Sequence, residues 1–309
     1  MSNIIISKED ISCLFPPLSP ETHKYDMGRV LCICGSYNGR GSAMCGAAYL
    51  SAAAAYRTGS GIVEIFTERK NYEALGARIP EAIFSLYDTE IEEETPILHR
   101  LSSSLERADA VIIGCGLGQS ETARKILRHT LREIKCPLVI DADGLNLMAQ
   151  NRDYWRFLDE DQRQRTVITP HIGEMAKLCR ISSEEILESK RSISMEFAKT
   201  LGIVCLLKGH RTIITDGQEC IVNTSGNTGM ATAGSGDVLS GIIGSLLARK
   251  NVAEWAEKER LALSPALYRT AVAAYIHGLA GDLGAKEMGE YSLIASDIVA
   301  KIPEIVKCS

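Results

Sequence analysis

Asn227 to Ala248 reads NTGMATAGSGDVLSGIIGSLLA: a run of small residues, a single carboxylate at Asp237, then an apolar segment long enough for a helix. Gly234, Ser235 and Gly236 are small enough for backbone N–H groups to approach an anion, and the helix predicted from VLSGIIGSLLA points its free N–H groups at them. Asp237 falls in the first helical turn, where the dipole stabilises a carboxylate with or without chemistry. Two readings follow. Asp237 is either a plain cap, or a base that orients a substrate hydroxyl and accepts its proton while the N–H groups hold a transferring phosphate. On the second reading the dipole keeps the carboxylate ionised, which makes it a modest base.

Upstream, short apolar runs alternate with helical stretches. RVLCICG (Arg29 to Gly35), GIVEIFT (Gly61 to Thr67), ADAVIIG (Ala108 to Gly114), PLVIDAD (Pro137 to Asp143), RTVITP (Arg165 to Pro170) and GIVCLLKG (Gly202 to Gly209) read as strands. Segments such as GAAYLSAAAAYRTG (Gly46 to Gly59) and SETARKILRHTLREI (Ser120 to Ile134) read as helices between them. This rhythm predicts an α/β fold with a mostly parallel central sheet and helices on both faces. After Lys208 the pattern changes: Arg211 to Asn223 predicts a hairpin turning at Asp216-Gly217, and three helices finish the chain. No stretch reads as a linker, so residues 1–309 are expected to form one domain.

Composition agrees with a globular protein: 45% of the 309 residues are hydrophobic and 24% charged. A net charge of -5 without a basic block argues against nucleic acid or an anionic membrane as partner. MSNIIISKED lacks a signal peptide's basic region and apolar core, and no run approaches the roughly 20 apolar residues of a spanning helix. A cytoplasmic location is therefore expected. Most of the ten cysteines sit inside apolar runs, without paired C-x-x-C spacing, and read as buried, reduced small hydrophobes.

Ligands of parallel sheets gather at the carboxyl ends of strands. Small or polar residues recur there: GSYNGRGSAMCGAA, GCGLG (Gly114 to Gly118), DADGLN, TPHIGE (Thr169 to Glu174) and KGHRT (Lys208 to Thr212). GCGLG lacks the spacing of the dinucleotide fingerprint, and no Walker A loop occurs, so a nucleotide must be held in another way. Each motif also has a structural reading. GCGLG suits a tight turn, Asp141 and Asp143 suit helix caps, His171 suits a structural role, and Glu174 suits the dipole of a first helical turn.

In combination these motifs are specific. GNTGMATAGSGDVLSGIIG, together with HKYDMGRVLCICGS, GAAYLSAAAAYRTGSG, GCGLG, DADGLN, TPHIGEMAKL and KGHRTIITDG in that order, resembles the signature of the ADP/ATP-dependent NAD(P)H-hydrate dehydratases, a branch of the ribokinase-like superfamily. The resemblance implies repair of NADH or NADPH hydrated at C6 of the ring (the S epimer of NADHX or NADPHX). ATP or ADP would phosphorylate the hydroxyl, and phosphate would then leave, with Mg²⁺ neutralising the phosphates. It implies Asp237, Gly234 and Gly236 as catalytic, Ala47, Gly116, His171 and Asp237 as contacts to the hydrated dinucleotide, and Lys208, Gly209, His210, Arg211, Thr212 and Gly236 as contacts to ADP or ATP. It leaves the protein's metal ligands unassigned and implies a homo-oligomer, commonly a tetramer. Many relatives carry an N-terminal epimerase domain. Here the first strand begins near Arg29, so the epimerase is expected as a separate protein.

Two departures from the family pattern stand out. The loop from Ser36 to Cys45 is longer, and Cys115 occupies the place of a proline, which leaves that turn without a fixed φ. Two other functions share part of this pattern. A ribokinase-like kinase for a hydroxymethylpyrimidine or hydroxyethylthiazole type of vitamin precursor would share Asp237 and the glycines but keep the phosphate on its product. A non-catalytic adenine-nucleotide module would not need the acid and glycines that are intact here.

Overall fold

A computed structural model of the chain describes residues 4–37, 42–250 and 263–307. In chain order its elements are α1 (Lys8–Leu14), β1 (Arg29–Ile33), α2 (Cys45–Arg57), β2 (Ile62–Glu68), α3 (Tyr72–Arg78), β3 (Ile83–Tyr87), α4 (Glu94–Arg107), β4 (Ala110–Ile113), α5 (Glu121–Glu133), β5 (Leu138–Ile140), α6 (Asp143–Gln150), α7 (Glu160–Gln164), β6 (Thr166–Ile168), α8 (Ile172–Cys179), α9 (Ser183–Glu188), α10 (Lys190–Leu201), β7 (Val204–Leu207), β8 (Ile213–Thr215), β9 (Cys220–Val222), α11 (Ser235–Ala248), α12 (Pro265–Met288) and α13 (Ala295–Val306).

The strands form one sheet in the order β3-β2-β1-β4-β5-β6-β7-β8-β9. Pairing is parallel from β3 through β7; β8 adds antiparallel to β7, and β9 pairs antiparallel with β8 to form the expected hairpin. The central strands β4, β5 and β7 are apolar along their length because both faces are covered. In β1, Val30 and Cys32 pack into one core while Leu31 and Ile33 pack into the other. The first core gathers α1, α2, α11, α12 and α13; the second gathers α4, α5, α6, α8 and α10.

The sequence reading missed two elements. β3 is an edge strand in which Ile83 is exposed and only Tyr87 is buried, so it carries little of the apolar signal that marks its neighbours. α1 lies ahead of the βα rhythm and is held in place by the Ser7–Asp10 capping box and burial of Ile11 and Leu14. The charged segment 251–262 and loop residues 38–41, part of the longer loop noted above, lie outside the described residues.

α11 is the central helix of its layer, which explains its nearly unbroken apolarity. A Cβ on Gly241 would lie 2.3 Å from the Ser51 carbonyl oxygen of α2, so a glycine is required for the two helices to approach this closely. Among the described residues every cysteine is a free thiol, and no helix is long and apolar enough to cross a membrane.

Candidate functional site

The chain runs from β1 outward to β2 and β3, then crosses back to β4 on the other side of β1. That reversal opens a crevice at the carboxyl ends of β1 and β4. There the Gly35 amide donates to the Cys115 carbonyl, 2.9 Å, and Gly116 turns with φ +63°. A Cβ on Gly116 would approach the Ala47 Cβ to 3.0 Å, so these two predicted substrate contacts are neighbours.

The N-terminus of α11 faces this crevice. Gly234 is its N-cap at φ +88°, and the first intrahelical bond runs from the Val238 amide to the Gly234 carbonyl, 3.1 Å. The amides of Gly236 and Asp237 precede that bond and lie at the helix's free, positive end. Gly236 also leaves room for a cation: a Cβ there would sit 3.2 Å from Lys208 Nζ.

Lys208 follows β7 and donates from Nζ to Asp141 Oδ1, 2.7 Å. Asp141 follows β5, is 1% exposed, and accepts on Oδ2 from Ser240 Oγ of α11, 2.7 Å. Burial works against the charge on Lys208, but Asp141 and Glu174 outweigh it and raise its pKa. Asp141 is thus the anchor of Lys208 and not the helix cap expected from sequence; Ala142 occupies the N-cap position of α6 instead. Ala142 adopts φ 47° and ψ -116°, a strained conformation for a residue with a Cβ, at the turn between the two aspartates. Asp143 accepts from the Gly118 amide, 2.8 Å, and so ties the GCGLG turn to DADGLN.

Asp237 differs from its sequence-based description. Burial raises its carboxyl pKa to about 6, and the negative charge of Asp141 adds to this, against smaller opposing effects of the Cys115 thiol and Lys208. The helix dipole is outweighed. The result is a stronger base than an ordinary aspartate, with a pKa close to neutral pH, where proton transfer is most efficient.

His171 is the N-cap of α8. Its Nδ1 accepts from the amides of Gly173, 3.0 Å, and Glu174, 3.3 Å, while Glu174 Oε2 accepts from the His171 amide, 2.8 Å. Burial, reinforced by Lys208, lowers the histidine's pKa, and burial raises that of Glu174 to about 6. Of the segment Lys208 to Thr212, only Lys208 turns into the cluster; Gly209, His210 and Arg211 face solvent.

Sequence reading singled out Asp237 and the glycines, and the family resemblance added Lys208, but neither pointed to Asp141, Ser240 or Cys115 as their neighbours. It also missed His277 of α12, whose Nε2 lies 3.3 Å from Ser235 Oγ and whose pKa burial lowers to about 4. The only hint was that Asp141 and Cys115 directly follow strands.

Among the described residues, Cys115, Asp141 and Asp237 are the one group of three that could offer ligand atoms to a metal. They do not fit a resident Mg²⁺, which takes oxygen ligands in octahedral geometry, because one donor is a thiol and Asp141 is already engaged by Lys208 and Ser240.

A sequence profile described as NAD(P)H-hydrate dehydratase matches residues 30–304. The chain belongs to that family. Within it, the chain is 36% identical over 302 residues to the bifunctional NAD(P)H-hydrate repair enzyme of Escherichia coli, covering 97% of this chain and 52% of the relative. The chain spans about half the length of such bifunctional relatives. It is 31% identical to the ADP-dependent (S)-NAD(P)H-hydrate dehydratase of Enterococcus faecalis, covering 98% of this chain and 92% of that one. Among solved structures of the family, the ADP/ATP-dependent NAD(P)H-hydrate dehydratase of Bacillus subtilis, co-crystallised with ATP and Mg²⁺, superposes with a TM-score of 0.76 at 25% identity, covering 97% and 96% of the two chains. The fold is ribokinase-like, as the sequence predicted.

Proposed function

We propose that the chain uses ADP or ATP to dehydrate the S epimer of NADH or NADPH hydrate to NADH or NADPH. The observation that carries this reading is the free N-terminus of α11 meeting Asp237 and Lys208 at one point. The amides of Gly236 and Asp237 hold the phosphate being transferred, and Lys208, kept charged by Asp141, offsets its negative charge. Asp237 takes the proton of the C6 hydroxyl as that oxygen attacks phosphorus. The ring nitrogen then donates its electron pair, the C6–O bond breaks, phosphate leaves with its electrons, and the C5 proton passes to water as its C–H pair restores the double bond. Mg²⁺ would be held by the phosphates of the nucleotide and would neutralise part of their charge.

Ala47 and Gly116 wall the pocket for the hydrated ring, and His171, at the start of α8, is a further contact to the hydrated dinucleotide. Lys208 to Thr212 and Gly236 hold the nucleotide.

The test is to mix the protein with hydrated NADH, Mg²⁺ and ADP or ATP and to follow the absorbance of intact dihydronicotinamide. Nucleotide-dependent recovery with release of phosphate is expected, and the two donors are ranked in the same experiment. Transfer to a small hydroxymethyl substrate with the phosphate retained would instead establish a vitamin-precursor kinase.

A further inference from the structure

Cys115 is fully buried in the turn after β4, with its sulfur within 4.8 Å of carboxylate oxygens of both Asp141 and Asp237. These neighbours differ in what they can still accept. Asp141 already takes Lys208 Nζ on one oxygen and Ser240 Oγ on the other, each at 2.7 Å. Cys34, the adjoining thiol, points its own S–H at the Ile112 carbonyl, 4.0 Å away. Contact with Cys34, burial, and the charges of Asp237 and Asp141 all keep the proton on Cys115, so the group is a donor and not a thiolate.

We propose that Cys115 is a positioning residue for Asp237: its S–H donates to the Asp237 carboxylate and fixes the oxygen that receives the substrate's proton. The proposal rests on Asp237 acting as the base. No bond to sulfur forms or breaks. The thiol also restrains the base's affinity for protons, against the opposing push of burial, Asp141 and Asp143 and alongside Lys208. A weak donor suits this position. A strong one would hold the carboxylate ionised and blunt it as a base, whereas none would leave it protonated near neutral pH.

The experiment compares the parent chain with Cys115→Ala and Cys115→Ser by two readouts. The first needs no substrate: the Asp237 carboxyl is titrated by carbon NMR of aspartate-labelled protein, its signal assigned by its loss in Asp237→Asn. Cys115→Ala should raise the Asp237 pKa, and Cys115→Ser, which restores a donor, should leave it at or below the parent value. The second is the pH profile of kcat/KM. Its acid limb should move to higher pH in Cys115→Ala, with about a three- to tenfold loss at about pH 6 that recovers by about pH 9, and return in Cys115→Ser.

An Asp237 pKa equal in all three proteins, or raised alike by Ala and Ser, overturns the proposal. Should Cys115→Ala not fold, the serine variant decides, because an Asp237 pKa above the parent's is incompatible with a restored donor. The NMR titration judges Cys115 even if the parent fails to restore NADH, an outcome that would refute the dehydratase reading by itself.

Discussion

Glu64 and Asp237 are both carboxylates enclosed by the same fold, each with a cation nearby, yet their proton affinities move in opposite directions. Glu64 lies in β2 with no exposure and accepts from the Arg29 guanidinium, from Ser104 Oγ at 2.5 Å, Ser85 Oγ at 2.7 Å and Arg107 at 3.4 Å. Burial alone would raise its pKa, but this surplus of donors lowers it. Asp237 has a weak thiol donor and a lysine already committed to Asp141, so burial prevails and the pKa rises to about 6. A structural carboxylate is supplied with more donors than it needs, whereas a reactive one is kept short of them.

The largest effect that would sharpen this contrast is on turnover. Asp237→Asn keeps the shape and removes the proton acceptor, so NADH recovery should fall by about 10²–10⁴-fold while nucleotide binding, measured by calorimetry, changes little. Near-normal turnover would break the comparison by moving Asp237 to the structural side. The reciprocal change is Glu64→Ala, which strands a largely buried guanidinium. Urea unfolding should show a loss of about 3–5 kcal/mol, with kcat unchanged at temperatures where the variant remains folded.

A third prediction concerns stability at Asp237. Its folded pKa of about 6 lies above the ordinary 3.8, so the native state binds this proton more tightly than the unfolded chain. Its stabilising contribution is complete below about pH 4 and is lost as pH rises through about 6. Above that, ionised Asp237 costs about 2–3 kcal/mol. Asp237→Asn should therefore raise Tm at pH 8 and change it little at pH 4, gaining stability where it loses catalysis. A variant equally or less stable at pH 8 would mean that the carboxylate is better solvated than its burial indicates.

Features confined to neighbouring residues were legible in the sequence. The strand rhythm, the hairpin at Asp216-Gly217 and the free helix end before Val238 need no knowledge of distant contacts. The pKa of Asp237 was misjudged because the dipole is local, whereas what opposes it comes from the folded chain: burial, and the charge of Asp141 just after β5. The small residues of α2 could have served an interface between subunits or packing within one. The structure buries Ala48, Ala52, Ala54 and Ala55, with Gly241 of α11 against the Ser51 carbonyl, so packing within the chain accounts for them. β3 escaped notice because an edge strand with one face open carries a weak apolar pattern.

His171 gives the smallest expected effect and tests whether the contrast is a dichotomy at all. Its Nδ1 accepts two amides of α8, so the ring is neutral with its proton on Nε2, 3.4 Å from Glu174 Oε1. Burial and Lys208 favour that neutral form. His171→Ala removes the cap and should cost about 1 kcal/mol of stability, whereas His171→Asn supplies another capping side chain and should recover most of it. The Michaelis constant for the hydrate separates the two roles. If the imidazole meets substrate, KM rises in both variants although only alanine loses stability. If KM stays at the parent value in both, His171 joins Glu64 as a purely structural group. A rise in KM confined to alanine would mean that α8's N-terminus, and not the imidazole, shapes the pocket, since only that variant loosens the helix end.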